Sequence, residues 1–358
     1  MARSAHAESG PGTARRLLGR LRSWEGLLLL VLLAVLAFNI IRVPNFLTVA
    51  NQVNLFQLGI EKAIVVLAMA FVIISGEIDL SVASMMGLAA AIVAALFEAG
   101  APMPVAILVA LGVGAGFGLM NGFFVSVVGL SSLAVTLAGY VGFRGLARLL
   151  VQDRSVGGFP EWFTALGQRG LVGPLTLSIL VFAVLAVVSI VVLHYSGLGR
   201  LTYVIGSSAP VARYSGVSVA RTKMVIFLMS GLISALAGVL MAARLGAVRA
   251  STAEGFELDI ITVVLLGGVS IFGGVGTMAG VLLSTYLVLN LRNGLVIAGV
   301  TGNTQTGIIG LLLILSVLLP NVAGRVRDRW RRRADQGAQA PPAGSAESAR
   351  THSQAAPG

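Results

Sequence analysis

The chain has 358 residues, of which 56% are hydrophobic and only 11% charged, with a mean hydropathy of +0.93. A soluble domain carries about 25% charged residues, so a water-facing globule is excluded and a lipid-embedded bundle is indicated. The chain has no cysteine, which rules out disulfides and thiolate metal sites, and its net charge of +11 sits in a few juxtamembrane blocks, which argues for membrane topology and against nucleic acid.

Residues 1–24 form a polar, basic tail carrying Arg3, Arg15, Arg16, Arg20 and Arg22. The apolar run after it lacks a small-x-small cleavage site and so is a helix, not a cleaved signal. A spanning helix needs about 20 apolar residues. On that measure the spans fall at 25–41, 60–75, 80–97, 104–128, 132–150, 175–195, 223–243, 258–273, 277–292 and 304–320. The expectation is an all-α, polytopic membrane protein of about ten helices, with a membrane domain over 25–321 and a disordered tail over 322–358. Gly-rich breaks near 60–97 and 258–292 leave room for re-entrant segments and a lower count.

Basic residues set the orientation. The amino-terminal block, the loop after the sixth span (Arg200, Arg213, Arg221, Lys223) and the carboxy-terminal block (Arg325, Arg327, Arg329, Arg331, Arg332, Arg333, Arg350) fall on one side of a ten-helix chain. That side is expected to be cytoplasmic, with both termini on it. An inverted repeat is also expected. Asn121-Gly122 and Ser131-Ser132 are spaced as Asn293-Gly294 and Asn303-Thr304 are, on opposite sides of the membrane. Chance is the alternative, since Asn-Gly is a common turn dipeptide.

The first informative motif is Gly76-Glu77-Ile78-Asp79-Leu80-Ser81-Val82. Carboxylates at membrane depth are costly unless paired or wetted. Glu77, Asp79 and Ser81 are therefore read as gate or path residues, with helix capping by Asp79 or Ser81 as the structural alternative. The second is the segment 199–222, the longest inter-helix stretch on the basic side. Ala209 to Tyr214 has helix-start and helix-stop signals, with Pro210 early and Gly216 after it. Arg200, Tyr203, Gly206, Arg213, Tyr214 and Gly216 are the candidate coupling residues, against the plain alternative of a basic loop. The third is 265–277, whose glycines break a helix either to line a wet cavity or to pack closely.

Asn54, Gln57, Asn121, Thr136 and Asp259 complete the candidate path. Arg144 and Arg148 are read as snorkelling or pairing with Asp153, and His194 as a helix-end residue. Asp, Glu and Lys are nearly absent from helix middles, which argues against an ion-coupled carrier. The two lysines, Lys62 and Lys223, do not follow glycine. A phosphate-binding loop is therefore missing, and the chain is not expected to hydrolyse ATP.

These residues together resemble a known family. The Gly76–Val82 segment is similar to the Gly-Ile-Asp-Leu-Ser-Val-Gly signature of ribose-type permeases of ABC sugar importers. Asn121-Gly122, Val135-Thr136-Leu137-Ala138-Gly139 followed by Arg144-Gly145, the Gly199–Gly216 segment, and Leu266-Gly267-Gly268-Val269-Ser270 through Gly273-Gly274-Val275-Gly276-Thr277 extend the resemblance over about residues 45–321. Ala83 departs from the family's usual glycine. The resemblance implies a permease subunit paired with a second one, a cytoplasmic ATPase that binds the ATP and Mg, and an extracytoplasmic sugar-binding protein. It implies a bacterial inner-membrane location, no metal or cofactor on this chain, and inward alternating-access transport of rhamnose, a pentose or autoinducer 2. Glu77 and the 153–160 stretch look most like rhamnose-type permeases. A branched-chain amino acid permease is the related alternative.

Overall fold

The computed structural model describes residues 24–42, 46–152 and 154–302, and beyond these only 304, 305, 307, 308, 310, 311 and 314. The tails, Asp153, Asn303 and most of the expected span 304–320 lie outside the described residues. The chain divides into Met1–Leu313 and Ile314–Gly358, and the helices and ribbons named here all lie in the first unit.

The helices are α1 (Trp24–Arg42), α2 (Val49–Ile74), α3 (Val82–Glu98), α4 (Met103–Phe123), α5 (Ser132–Val151), α6 (Glu161–Gln168), α7 (Leu177–Tyr195), α8 (Gly197–Ser207), α9 (Ala209–Tyr214), α10 (Val219–Leu245), α11 (Phe256–Leu266) and α12 (Met278–Ile297). A π-helical turn, Phe124–Val128, prolongs α4. Two small antiparallel ribbons join β1 (Val156–Gly157) to β4 (Ala247–Val248) and β2 (Gly170–Val172) to β3 (Leu175–Thr176). The protein is a polytopic α-helical membrane protein. Among the described residues, seven helices are long and apolar enough to cross a membrane: α1, α2, α4 with its π turn, α5, α7, α10 and α12. α3, with 17 residues, is about 26 Å long, and α11 has 11 residues. Both are shorter than a full span.

Apolar residues are spread unevenly between inside and outside. α3 is buried all round from Val82 to Ala94, and α2 from Gly59 to Ile74 except at Lys62. A helix apolar on every face belongs at the centre of a bundle or in lipid; these two take the centre. By contrast α1, α4, α5 and α7 keep exposed apolar stripes, for example Leu133, Leu137, Val141 and Leu149 on α5. Glycines do the close packing expected of lipid-embedded helices. Gly114, Gly118 and Gly122 recur every four residues along α4 and face Gly231 and its neighbours on α10. A Cβ at Gly118 would lie 2.6 Å from the Phe227 carbonyl oxygen.

Several boundaries differ from the sequence expectation. α2 starts at Val49, well ahead of residue 60, because Thr48 caps it by accepting from the Asn51 N–H. Its polar start (Asn51, Asn54, Gln57) conceals one continuous helix. The stretch 154–174 between two expected spans is a folded cap, not a loop: α6 lies against α10, with Gln168 Nε2 donating to Arg244 O at 3.0 Å. α11 stops at Leu266, short of residue 273, where Gly267 and Gly268 intervene. Asn121 and Asn293 sit inside helices, since α4 continues into its π turn and α12 runs on to Ile297. With Asn303 outside the described residues, the proposed repeat stands without its second half.

Candidate functional site

The centre of interest is the joint 75–81 between α2 and α3. Gly76 takes φ +82°, a region glycine enters freely, and the chain unwinds there. Unwound backbone buried in the bundle needs partners, and side chains supply them. Ile78 N–H donates to Ser132 Oγ at 3.3 Å and Leu80 N–H to Thr136 Oγ1 at 3.1 Å. The Thr136 hydroxyl lies 3.2 Å from Ile78 O and 2.8 Å from Ser132 O. Asp79 is buried; its Oδ1 accepts from the N–H and hydroxyl of Ser81, at 3.0 and 2.6 Å, and its Oδ2 accepts from Ser230 Oγ at 2.8 Å. Asn121 Nδ2 donates to Ser81 Oγ at 3.0 Å. Glu77 pairs with Lys223 on α10. Six of the sequence candidates or their direct partners thus gather at one joint: Glu77, Asp79, Ser81, Asn121, Thr136 and Ser230. Asp79 turns the joint rather than capping α3, whose N-cap Ser81 makes no side-chain cap bond.

A second set meets the joint through backbone. Gly274 N–H donates to Ile74 O at 2.8 Å, and Tyr203 Oη donates to Gly276 O at 2.7 Å. Burial pushes the Tyr203 phenol above its ordinary value. A Cβ at Gly206 would lie 2.5 Å from Gly274 N, and one at Gly273 would lie 2.7 Å from Gly76 Cα. The end of α8, the joint and the 267–277 turn therefore form one seam of glycines. α1 is tied in as well: Trp24 Nε1 donates to Leu266 O at 2.9 Å and Thr277 Oγ1 to Glu25 Oε1 at 2.6 Å. Of the two readings of these glycines, close packing is what the geometry displays.

α8 carries no clear signal in the sequence; Ser196 caps it through Gly199 N–H. α9 matches the expected Ala209–Tyr214 helix, with Gly216 at φ +80° after it. Ala212 is buried with Ile205 and Val219. Tyr214 is 93% exposed, Val211 62% exposed, and Arg200 and Arg213 are exposed too.

Charged residues form a third set that the sequence pattern conceals. Asp259 Oδ2 accepts from Lys62 Nζ at 2.8 Å and from Arg292 Nη2 at 2.6 Å. The three line a cavity of about 200 Å³ between α2, α11 and α12. Glu61 binds Arg244 through both oxygens, at 2.7 and 3.2 Å. Helix middles are thus not free of charge. A start of α2 at residue 60 would place Glu61 and Lys62 at a helix end, and the true start at Val49 moves them inward. Asn54 is exposed and Gln57 half-buried, and neither joins the joint or the cavity wall. Arg144 does not snorkel: it is 6% exposed and holds Ala250 O and Thr252 O at 3.2 and 2.7 Å.

A buried bundle with unwound polar joints and an exposed short helix is the build of a membrane permease. Residues 51–317 match the family described as branched-chain amino acid transport system / permease component. The autoinducer 2 import system permease protein LsrD of Salmonella paratyphi A is 35% identical over 305 residues, covering 83% of this chain and 91% of the relative. The LsrD protein of Yersinia enterocolitica is 35% identical over 303 residues, covering 82% and 91%. No solved structure matches the chain. The chain belongs to this family of transport-system permease components. It is a multi-pass inner-membrane permease subunit of an ABC importer.

Proposed function

We propose that this subunit passes a monosaccharide or sugar-like solute of the rhamnose, pentose or autoinducer 2 kind inward by alternating access. The glycine seam carries the reading. α9 offers Tyr214, Val211 and Arg213 as an exposed anchor, and α8 connects that anchor to the 75–81 joint and the 267–277 turn through the close approach of Gly206 and the Tyr203 hydroxyl. Movement of an ATPase bound to α9 would reach Gly76, Gly273 and Gly274 with little slack, because close-packed interiors transmit displacement. Glu77, Asp79, Ser81, Asn121 and Thr136 would form the inner gate, and Asp259 would border the path.

The seam end is assigned to the cytoplasm. The basic segment around α8 and α9 lies there, and the Trp24 and Glu25 bonds bring the start of α1, just after the amino-terminal arginines, to the same end. ATP and Mg would reside on the ATPase, with a second permease subunit completing the pathway. The family description favours a branched-chain amino acid as the second reading of the cargo. Proteoliposomes holding the whole importer separate them. ATP-driven uptake of autoinducer 2, D-ribose or L-rhamnose is expected, and uptake of leucine alone would overturn the sugar reading.

A further inference from the structure

We infer that the cavity bordered by Lys62, Asp259 and Arg292 is a holding point for the solute in transit, and that it takes an uncharged, polyhydroxylated ring. This rests on the importer reading above and adds the place and the ligand class.

Position comes first. Lys62 lies at the middle of α2, far from both ends of a 26-residue helix. Ionised side chains at that depth cost several kcal/mol and mark functional pathways more often than stabilising ones. A buried ion cluster is also no more stabilising than well-packed apolar residues would be. The cluster therefore calls for a use.

Chemistry comes next. One carboxylate oxygen, Asp259 Oδ2, receives both cations. Asp259 Oδ1 and the rest of the Arg292 fork make no hydrogen bond among the described residues, while the Lys62 ammonium also lies 4.0 Å from the centre of the Phe256 ring. A free acceptor thus stands beside free donors, as vicinal hydroxyls require, since each hydroxyl both donates and accepts. The rest of the wall is mostly apolar, with Ala63, Val66, Val263 and Leu289 among its residues, and adds the polar side chains of Thr285, Asn293 and Gln305. A sugar ring presents a C–H face to such a wall and a hydroxyl rim to such a cluster. The cluster holds two cations and one anion, so a further cation is repelled. A neutral ring enters and leaves without disturbing the ion pairs, which suits a point of brief residence.

The absence of cysteine gives a direct test. Thr285 lines the cavity, and Thr285→Cys exchanges a hydroxyl for a thiol of similar size. The variant importer, reconstituted with its ATPase and binding protein, is treated with a small water-soluble thiol reagent. Labelling is expected, and millimolar autoinducer 2, D-ribose or L-rhamnose is expected to slow it several-fold while leucine leaves it unchanged. Val288→Cys, in the same wall, repeats the measurement if the first variant is poorly folded. No slowing by any of the three, or equal slowing by leucine, overturns the inference. The importer reading is judged separately by ATP-driven uptake in the unmodified protein. Uptake without protection sinks the holding point alone, and protection without ATP-driven uptake sinks the importer reading alone.

Discussion

Asp79 shows how one side chain holds an unwound segment. Its carboxylate accepts from Ser81 and Ser230 and has no cationic partner among these bonds. A neutral isostere should therefore serve: Asp79→Asn keeps an acceptor for Ser81 and presents an amide to the Ser230 hydroxyl. Asp79→Ala leaves buried donors unpaired, at about 1–3 kcal/mol for each such group. The expected outcome is near-native thermal stability for Asp79→Asn and a clear loss for Asp79→Ala, read by melting in detergent. Equal loss in both would mean that the negative charge itself is required. Gly206 is the second informative residue. A Cβ there meets backbone on both neighbouring segments, and backbone cannot rotate aside. Gly206→Ala is expected to leave ATPase association intact while cutting uptake at least tenfold. Wild-type uptake in that variant would show that the seam is slack.

At the scale of elements, α9 is legible in the sequence and α8 is not. Pro210 and Gly216 bracket α9 with local signals that survive in any context. α8 carries Gly197, Gly199 and Gly206, poor helix formers, and takes its shape from packing on the seam. The start of α2 escapes the apolar pattern for the converse reason: polar residues interrupt that pattern although the backbone continues. The joint can be found from Gly76 and two carboxylates. Ser132 and Ser230, which satisfy it, are ordinary serines until the fold brings them near. The exposed anchor on α9 leads to a prediction for the element as a whole. Aromatic and arginine side chains dominate interfaces. Arg213→Glu with Tyr214→Ala should weaken ATPase association by about 2–4 kcal/mol, or roughly 30- to 1,000-fold, with thermal stability unchanged since both side chains are exposed. Co-purification of the ATPase with wild type and variant measures this. Full association in the double variant would move the docking site elsewhere.

For the whole molecule, composition alone defines the membrane class, and the basic blocks predict the orientation. A reporter active only outside the cytoplasm, fused after Arg333, is expected to be silent, and strong activity would invert the assignment. The ion pairs carry a further consequence for how the chain is made. Glu61 and Lys62 find their partners 183 and 197 residues later, in Arg244 and Asp259. α2 must therefore enter the membrane while both charges lack those partners, and it stays incomplete until α10 and α11 emerge from the ribosome. Biosynthesis then has a long interval in which the central helix is the least settled part of the chain. A nascent chain stopped before Arg244 carries two unanswered charges at the core of its bundle, which makes it the natural form for membrane quality control to recognise and remove.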